Sequence, residues 1–281
     1  MGAQEVQALT KSKRRLNELD GKTWERYSIS IWDIVKSKEE IKLGHPAMFP
    51  MDLCRRLIEI YTKKGDIVLD PMMGSGSAVI VARDMERKGI GFDINPDFVD
   101  LTRKRLSQQK LVHLSVEEPD IYCEDAANLL KYIEPNSVDF VVTSPPYWNI
   151  HTRKRTADYK EPRPYSNLER DLGNITDLNK FMSELKSIFQ KVHTVLKYGK
   201  RCVVIVMDIR QGSQFFPFHI SISNMMTEVG FVLEDIIIWD RKKEYSNLRP
   251  LGYPYVFIVN KVHEYVMIFK KVRLKEDETV S

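Results

Sequence analysis

From Lys64 onward, short runs rich in Val, Ile and Phe alternate with stretches whose apolar residues recur at helical spacing, and this alternation leaves few architectures open. Strands that take turns with helices bury both faces of a parallel sheet under those helices. Candidate strands are 67–70, 89–93, 121–124, 138–143, 202–208, 232–239 and 264–269. Together they suit one α/β fold with a doubly wound, mostly parallel seven-stranded sheet of Rossmann-like form. Helices are expected over 51–62, 77–88, 96–108, 178–196 and 219–228. In the helix from 178, Phe181, Leu185, Ile188, Val192 and Val195 line one apolar face, with Asp177 as its N-cap and Gly199 as its stop. No helix separates the last two strands, so an antiparallel strand is expected near one edge.

With 281 residues, 43% of them hydrophobic, the chain can bury one large core. One domain is expected over 45–271, after an N-terminal extension (1–44) and before a C-terminal tail (272–281). No apolar run is long enough to span a membrane and the start is polar and basic, which points to a soluble, cytoplasmic protein without a membrane partner. Cys54, Cys123 and Cys202 lie far apart, with no Cys or His at ligand spacing, and read as buried, reduced thiols; no metal is expected. A net charge of +4 permits a polyanionic partner without requiring one. Basic residues gather at Lys11, Lys13, Arg14 and Arg15, and again at Arg153, Lys154 and Arg155, although either cluster alone also fits a solvated surface. Two segments resist assignment: 148–176, polar with Pro and Arg, and 241–261, with Tyr245, Pro250, Tyr253, Pro254 and Tyr255. Insertions of such length in a compact domain are functional or disordered.

The run Asp70, Pro71, Met72, Met73, Gly74, Ser75, Gly76, Ser77 ends a strand and opens a helix through a glycine-rich turn. Glycines there let the backbone approach a ligand at the carboxyl edge of the sheet. Asp93 ends the next strand, where a carboxylate can accept from ribose hydroxyls, and Asp125 follows the third, within reach of an adenine amino group. The third glycine of the pyrophosphate fingerprint is missing, and Asp70 beside the ligand suits a cation better than a phosphate. S-adenosylmethionine carries a sulfonium and an ammonium, so it is favoured over a phosphate cofactor and over a turn with no ligand. Farther on, the strand 138–143 runs from Val138 to Thr143 and straight into Ser144, Pro145, Pro146, Tyr147 and Trp148. Consecutive prolines cannot continue the ladder, so the chain stops rigidly at the same sheet edge. Ser144 and the Pro145 carbonyl become fixed acceptors, and Tyr147 and Trp148 offer surfaces on which a base could stack.

These two segments together resemble the amino-methyltransferase family of DNA N4-cytosine and N6-adenine methylases. His45, Pro46 and Phe49 resemble the family's further cofactor motif, and Asp93 with Asn95 its acidic ribose motif. The resemblance implies a class I methyltransferase domain, S-adenosylmethionine as cofactor, and cofactor contacts from His45, Pro46, Phe49, Asp70, Pro71, Met72, Gly74, Ser75, Gly76, Ser77, Asp93, Asn95, Asp125 and Thr143. It implies catalysis by Ser144, Pro145, Pro146 and Tyr147. Members with serine before Pro-Pro-Tyr usually modify cytosine, those with aspartate or asparagine adenine.

The implied reaction is direct methyl transfer to an exocyclic amine whose hydrogens are held by Ser144 and the Pro145 carbonyl, from a base flipped out of its stack. Trp148, Arg153, Lys154 and Arg155 are the expected substrate contacts. No separate sequence-reading domain is evident, so the partner is DNA read by the two loops or a structured RNA, such as ribosomal RNA, read by shape. A binding module that has lost activity is the alternative of another class. All of these readings require the glycine turn and the double-proline corner to open into one cavity.

Overall fold

The computed structural model describes residues 15–42, 48–108, 117–150, 165–245 and 248–273. The alternating pattern becomes an α/β domain. Its strands are β1 (Ile31–Trp32), β2 (Ile67–Asp70), β3 (Lys88–Asp93), β4 (Asp120–Cys123), β5 (Val138–Thr143), β6 (Leu196–Val206), β7 (Ile209–Gln211), β8 (Gln214–Phe216), β9 (Phe231–Asp240) and β10 (His263–Lys271). Its helices are α1 (Gly21–Tyr27), α2 (Lys38–Lys42), α3 (Met51–Tyr61), α4 (Ser77–Asp84), α5 (Pro96–Gln108), α6 (Leu178–Val195) and α7 (Phe218–Val229).

The main sheet has the order β1-β9-β10-β6-β5-β2-β3-β4. Only β10 runs against its neighbours, pairing antiparallel with β9 and β6, as the missing helix before it implied. The seven expected strands are all present. The eighth is β1, which pairs parallel with β9 and sets Trp32 in the core at 1% exposure. A strand of two residues carries no readable alternation, which is why the N-terminal extension concealed it. The short β7–β8 hairpin is a separate sheet.

Period-two alternation sends successive residues to opposite faces. Leu69 and Val141 pack with Phe181, Phe189 and Phe218 of α6 and α7, while Val68, Phe140 and Val142 pack with Leu53, Leu57 and Ala78 of α3 and α4. The sheet is thereby covered on both sides and doubly wound.

Several boundaries shift for local reasons. The helix expected over 77–88 ends at Asp84, because Glu86 turns to φ 62° and the amide of Arg87 bonds back to Ala82, so that Lys88 can pair with Ile67. Asp177 caps α6 as expected, accepting from the Lys180 amide at 2.7 Å. Gly199 is not the helix stop. The helix ends at Val195, and Gly199 (φ 79°) sits inside β6, where the register with β5 slips between Val138 and Phe140. Cys54 and Cys202 are buried, and burial raises both thiols well above their usual range, but Cys123 is exposed, contrary to expectation. Among the described residues no helix is long and apolar enough to cross a membrane.

Candidate active site

Because β2, β3, β4, β5, β6 and β9 run in one direction, the turns that follow them gather along a single edge. At that edge the glycine turn and the double-proline corner do open into one cleft. Its lining includes Phe49 before α3, Pro71, Met72, Gly74, Ser75 and Ser77 after β2, Asp93 and Asn95 after β3, Asp125 after β4, and Ser144 and Pro146 after β5. Asp70, Gly76, Thr143, Pro145, Tyr147 and Trp148 are not among the lining residues. His45, Pro46, Arg153, Lys154 and Arg155 lie outside the described residues.

The turn is built mostly from backbone. Gly74 and Gly76 take φ values of 51° and 77°, and a Cβ on Gly76 would lie 2.3 Å from Thr102 Cγ2, so only glycine fits there. The amide of Gly74 donates to Asp93 Oδ2 at 2.8 Å, and Thr102 Oγ1 donates to the Gly74 carbonyl at 3.2 Å. The buried Arg105 guanidinium donates to the Ser75 carbonyl. These bonds tie the turn to β3 and α5.

Asp93 accepts from two amides, Gly74 and Asn95, one on each oxygen. Each carboxylate oxygen can take more than one hydrogen bond, so capacity remains for hydroxyls. Burial pushes its carboxyl up to about 6, against the pull of those amides. Asp70 is fully buried, and burial pushes it up to about 7; the nearby Thr143 hydroxyl and the Met72 amide oppose the shift. Even so, Asp70 Oδ2, Thr143 Oγ1 and Ser77 Oγ are buried without a hydrogen bond of normal geometry. Of these three, Ser77 is on the lining of the cleft, while Asp70 and Thr143 lie behind it. With Asp125 and Asp171 also on the lining, the cleft is acidic and fits a cationic ligand.

Asn95 lines the cleft and also ties it to the insertion. Its carboxamide is engaged on both ends, accepting from the Asp97 amide at 2.9 Å and donating to the Tyr165 carbonyl at 2.6 Å. It thereby pins the end of the long insertion over the cleft, where Tyr165, Arg170, Asp171 and Leu172 complete the wall. Asp125 caps a 3-10 turn by accepting from the Ala127 amide at 2.8 Å while still facing the cleft.

Across from the glycine turn, Ser144 Oγ lies 3.1 Å from Tyr147 Oη, which donates to Glu264 Oε2 at 2.7 Å. Glu264, at 3% exposure, pairs with Arg241, and Arg241 in turn reaches Glu244 at 2.7 Å. Burial first, and the Glu264 carboxylate second, hold the Tyr147 phenol well above its usual range. Trp148 takes φ 51° and packs edge-on against Phe216 at 5.4 Å. At 7% exposure each, Tyr147 and Trp148 are packing groups in this structure, not the open stacking surfaces expected from the sequence. Glu264 and Arg241 were missed as site residues because their only visible signal is a charged residue at the end of an apolar strand, Glu264 near the start of β10 and Arg241 just past β9.

The chain matches the N6/N4 DNA methylase family over residues 3–104 and 138–279, most of its length. The chain belongs to this family. Curated relatives include the type II methyltransferase M.HpaI of Haemophilus parainfluenzae, 40% identical over 65 residues that make up 23% of this chain and 21% of the relative. The type II beta methyltransferase M.BslI of a Bacillus species is 42% identical over 72 residues, 25% of this chain and 8% of the relative. The matched stretches thus span well under a third of these relatives' own lengths. The precorrin 8W decarboxylase of Methanobacterium thermoautotrophicum aligns with a TM-score of 0.51 at 16% identity, covering 85% of this chain and 97% of its own, a likeness of fold alone. For a DNA methylase with this fold the cofactor is S-adenosylmethionine. The acidic lining, and on it the buried Ser77 hydroxyl at the glycine turn, which has no hydrogen-bond partner, fit it.

Proposed function

We propose that the chain transfers a methyl group to the exocyclic amino nitrogen of a DNA base, with N4 of cytosine as the target. The observation that carries this reading is the shared cleft: the Pro71–Ser77 turn forms one wall, and Ser144 with Pro146 forms the other. S-adenosylmethionine supplies an electrophilic methyl on a sulfonium. Asp93 would hold the ribose hydroxyls and Asp125 the adenine amino group, and Asp70, buried behind the lining, would balance positive charge from there. Phe49, Met72 and Ser77 shape the rest of the pocket.

An exocyclic amine is a weak nucleophile while its lone pair is delocalised into the ring. Two acceptors that hold its hydrogens turn that lone pair out of the ring plane and toward the donor. Ser144 has the right polarity for this. The Tyr147 phenol gives its only hydrogen to Glu264, so its oxygen can only accept from Ser144. The Ser144 hydroxyl therefore points its hydrogen back toward Tyr147 and leaves its lone pairs for the amine, with the Pro145 carbonyl as the second acceptor. Arg241 pairs with Glu264 and orients it as the acceptor for Tyr147. Trp148 supports the corner from within the core, and Arg153, Lys154 and Arg155 contribute phosphate contacts from the insertion. Serine at 144 favours cytosine by the family pattern, and the family to which the chain belongs is one of DNA methylases.

The test is incubation with isotopically labelled S-adenosylmethionine and, separately, unmethylated genomic DNA and total RNA, followed by nucleoside mass spectrometry. Labelled N4-methyldeoxycytidine is the expected product. N6-methyldeoxyadenosine would overturn the choice of base, label in RNA alone would overturn the polymer, and no label in either would overturn the activity.

A further inference from the structure

The chain leaving β9 emerges at the cleft edge, because β9 and β6 are both antiparallel to β10 and β6 is parallel to β5. What it forms there is an ordered finger. The Arg241 amide bonds the Val262 carbonyl at 2.8 Å across its root, Leu251 bridges to Ile258, and Asn260 Nδ2 donates to the Arg249 carbonyl at 2.8 Å. Its tip is tight. Gly252 has φ 78°, its carbonyl accepts from the Tyr255 and Val256 amides, and a Cβ there would meet the Val256 carbonyl oxygen at 2.2 Å.

This rigid tip carries the most exposed large apolar side chains in the described structure: Tyr253 at 78%, Tyr255 at 91% and Phe257 at 93%. A contiguous apolar tip held out in water marks a contact surface. The charge around it selects the partner. No Asp or Glu occurs from Tyr245 to His263; at the root, Glu244 and Glu264 both pair with Arg241, and Lys242 and Lys261 stand beside them. Beside it, Lys261 Nζ lies 4.9 Å from the Phe215 ring, over which Arg210 also sits, so the β7–β8 hairpin extends the cationic rim. The root is linked to the catalytic corner through Glu264 and Tyr147, and the hairpin through Gln211 to Asn149 at 2.7 Å.

We propose that this finger, residues 248–261, is a nucleic-acid contact in which Tyr255 and Phe257 stack on unpaired bases beside the target while Lys242 and Lys261 take phosphates. The proposal rests on the reading of the cleft as that of a base methyltransferase. Extruding a base leaves an unstacked gap in the duplex, and a preformed aromatic tip fills it at little entropic cost. Aromatic faces with cations behind them are how unpaired bases are held without sequence preference.

The experiment measures binding of a mixed-sequence single-stranded deoxyoligonucleotide, its duplex and dextran sulfate to the full chain and to two double variants. Tyr255→Ala with Phe257→Ala should weaken the single strand at least about tenfold, the duplex less, and dextran sulfate by no more than about twofold. Lys242→Ala with Lys261→Ala should weaken all three and flatten the salt dependence. Both pairs lie on the surface, and a thermal melt matching the parent shows that each variant is folded. Unchanged strand binding by the folded aromatic variant, or equal loss on strand and dextran sulfate, overturns the proposal. So does a dimer that becomes a monomer by sedimentation, or lost binding to anionic phospholipid vesicles, with strand binding intact. If nucleoside mass spectrometry finds no methylated base while the aromatic variant still loses the strand, the activity fails and the finger stands; the reverse pattern sinks the finger alone.

Discussion

The two walls of the cleft are held by different means. The glycine-turn wall is backbone fixed by near neighbours: Gly74 to Asp93 across 19 residues, Thr102 to Gly74 across 28, Arg105 to Ser75 across 30. The catalytic wall is a file of side chains, Ser144, Tyr147, Glu264 and Arg241, whose central bond joins positions 117 residues apart. A wall of backbone presents a shape that few substitutions can alter except by breaking it. A wall of side chains presents a polarity that one substitution can erase while the shape survives. The first is suited to holding a cofactor that changes little during the reaction, the second to favouring charge that develops only in the transition state.

The sharpest way to break that comparison is at Ser144. In Ser144→Ala the cleft keeps its form and loses one of two acceptors, so kcat should fall by roughly 10²–10³ while cofactor affinity stays within about twofold. Single-turnover kinetics and equilibrium titration with S-adenosylmethionine give both numbers. The opposite signature belongs to Gly76. In Gly76→Val a side chain is forced into a left-handed backbone and against Thr102, and the folded state should lose roughly 3 kcal/mol by urea denaturation, with cofactor affinity falling in step. Equal losses of turnover and affinity in the folded serine variant, or a glycine variant as stable as its parent, would show that the walls do not divide the work in this way.

The same difference explains what could be read from the residues alone. The glycine wall, the strand that carries it and Asp93 are local in sequence, and local geometry leaves signatures: glycines where φ is positive, an acid at a strand end, β-branched runs between amphipathic ones. The corner at Ser144 was equally legible because two prolines stop a strand wherever they occur. The partners that complete it were not. Glu264 looks like an ordinary strand residue until folding brings β10 beside β6 and its first turn against Tyr147. Tyr147 and Trp148 read as stacking surfaces because a sequence shows that a ring is present, not which way the chain turns it. Trp148 at φ 51° is turned inward onto Phe216. Asn95 could be placed at the site, where it lines the cleft, but its bond to the Tyr165 carbonyl spans 70 residues and could not be read from the sequence.

The smallest expected effect concerns acidity, and it separates the walls by pH. Burial holds the folded-state carboxyl of Asp70 near 7, against 3.8 when it is not perturbed. Between those values the folded chain keeps a proton that the unfolded chain has released, so the ligand-free protein should lose stability as pH rises from about 4 through about 7. A bound sulfonium and ammonium reverse the preference, because positive charge beside a buried carboxyl favours its ionised form. Cofactor affinity should then drop as pH falls below about 7, by up to about tenfold between pH 7 and pH 6 if the proton must leave before binding. Thermal melts of the free protein and titrations of S-adenosylmethionine across this range should therefore slope in opposite directions. Asp70→Asn, which keeps the size and removes that titration, should flatten both between about pH 6 and pH 7, and the slope left below about pH 6 belongs to Asp93, whose carboxyl burial holds near 6. On the other wall Ser144 has no titration in this range and burial holds the Tyr147 phenol well above its usual range, so once cofactor is saturating, turnover should vary little from pH 7 to pH 8. Parallel slopes for melting and affinity would mean that Asp70 is a structural acid that the cofactor does not feel, and the glycine wall would then owe its selectivity to shape alone.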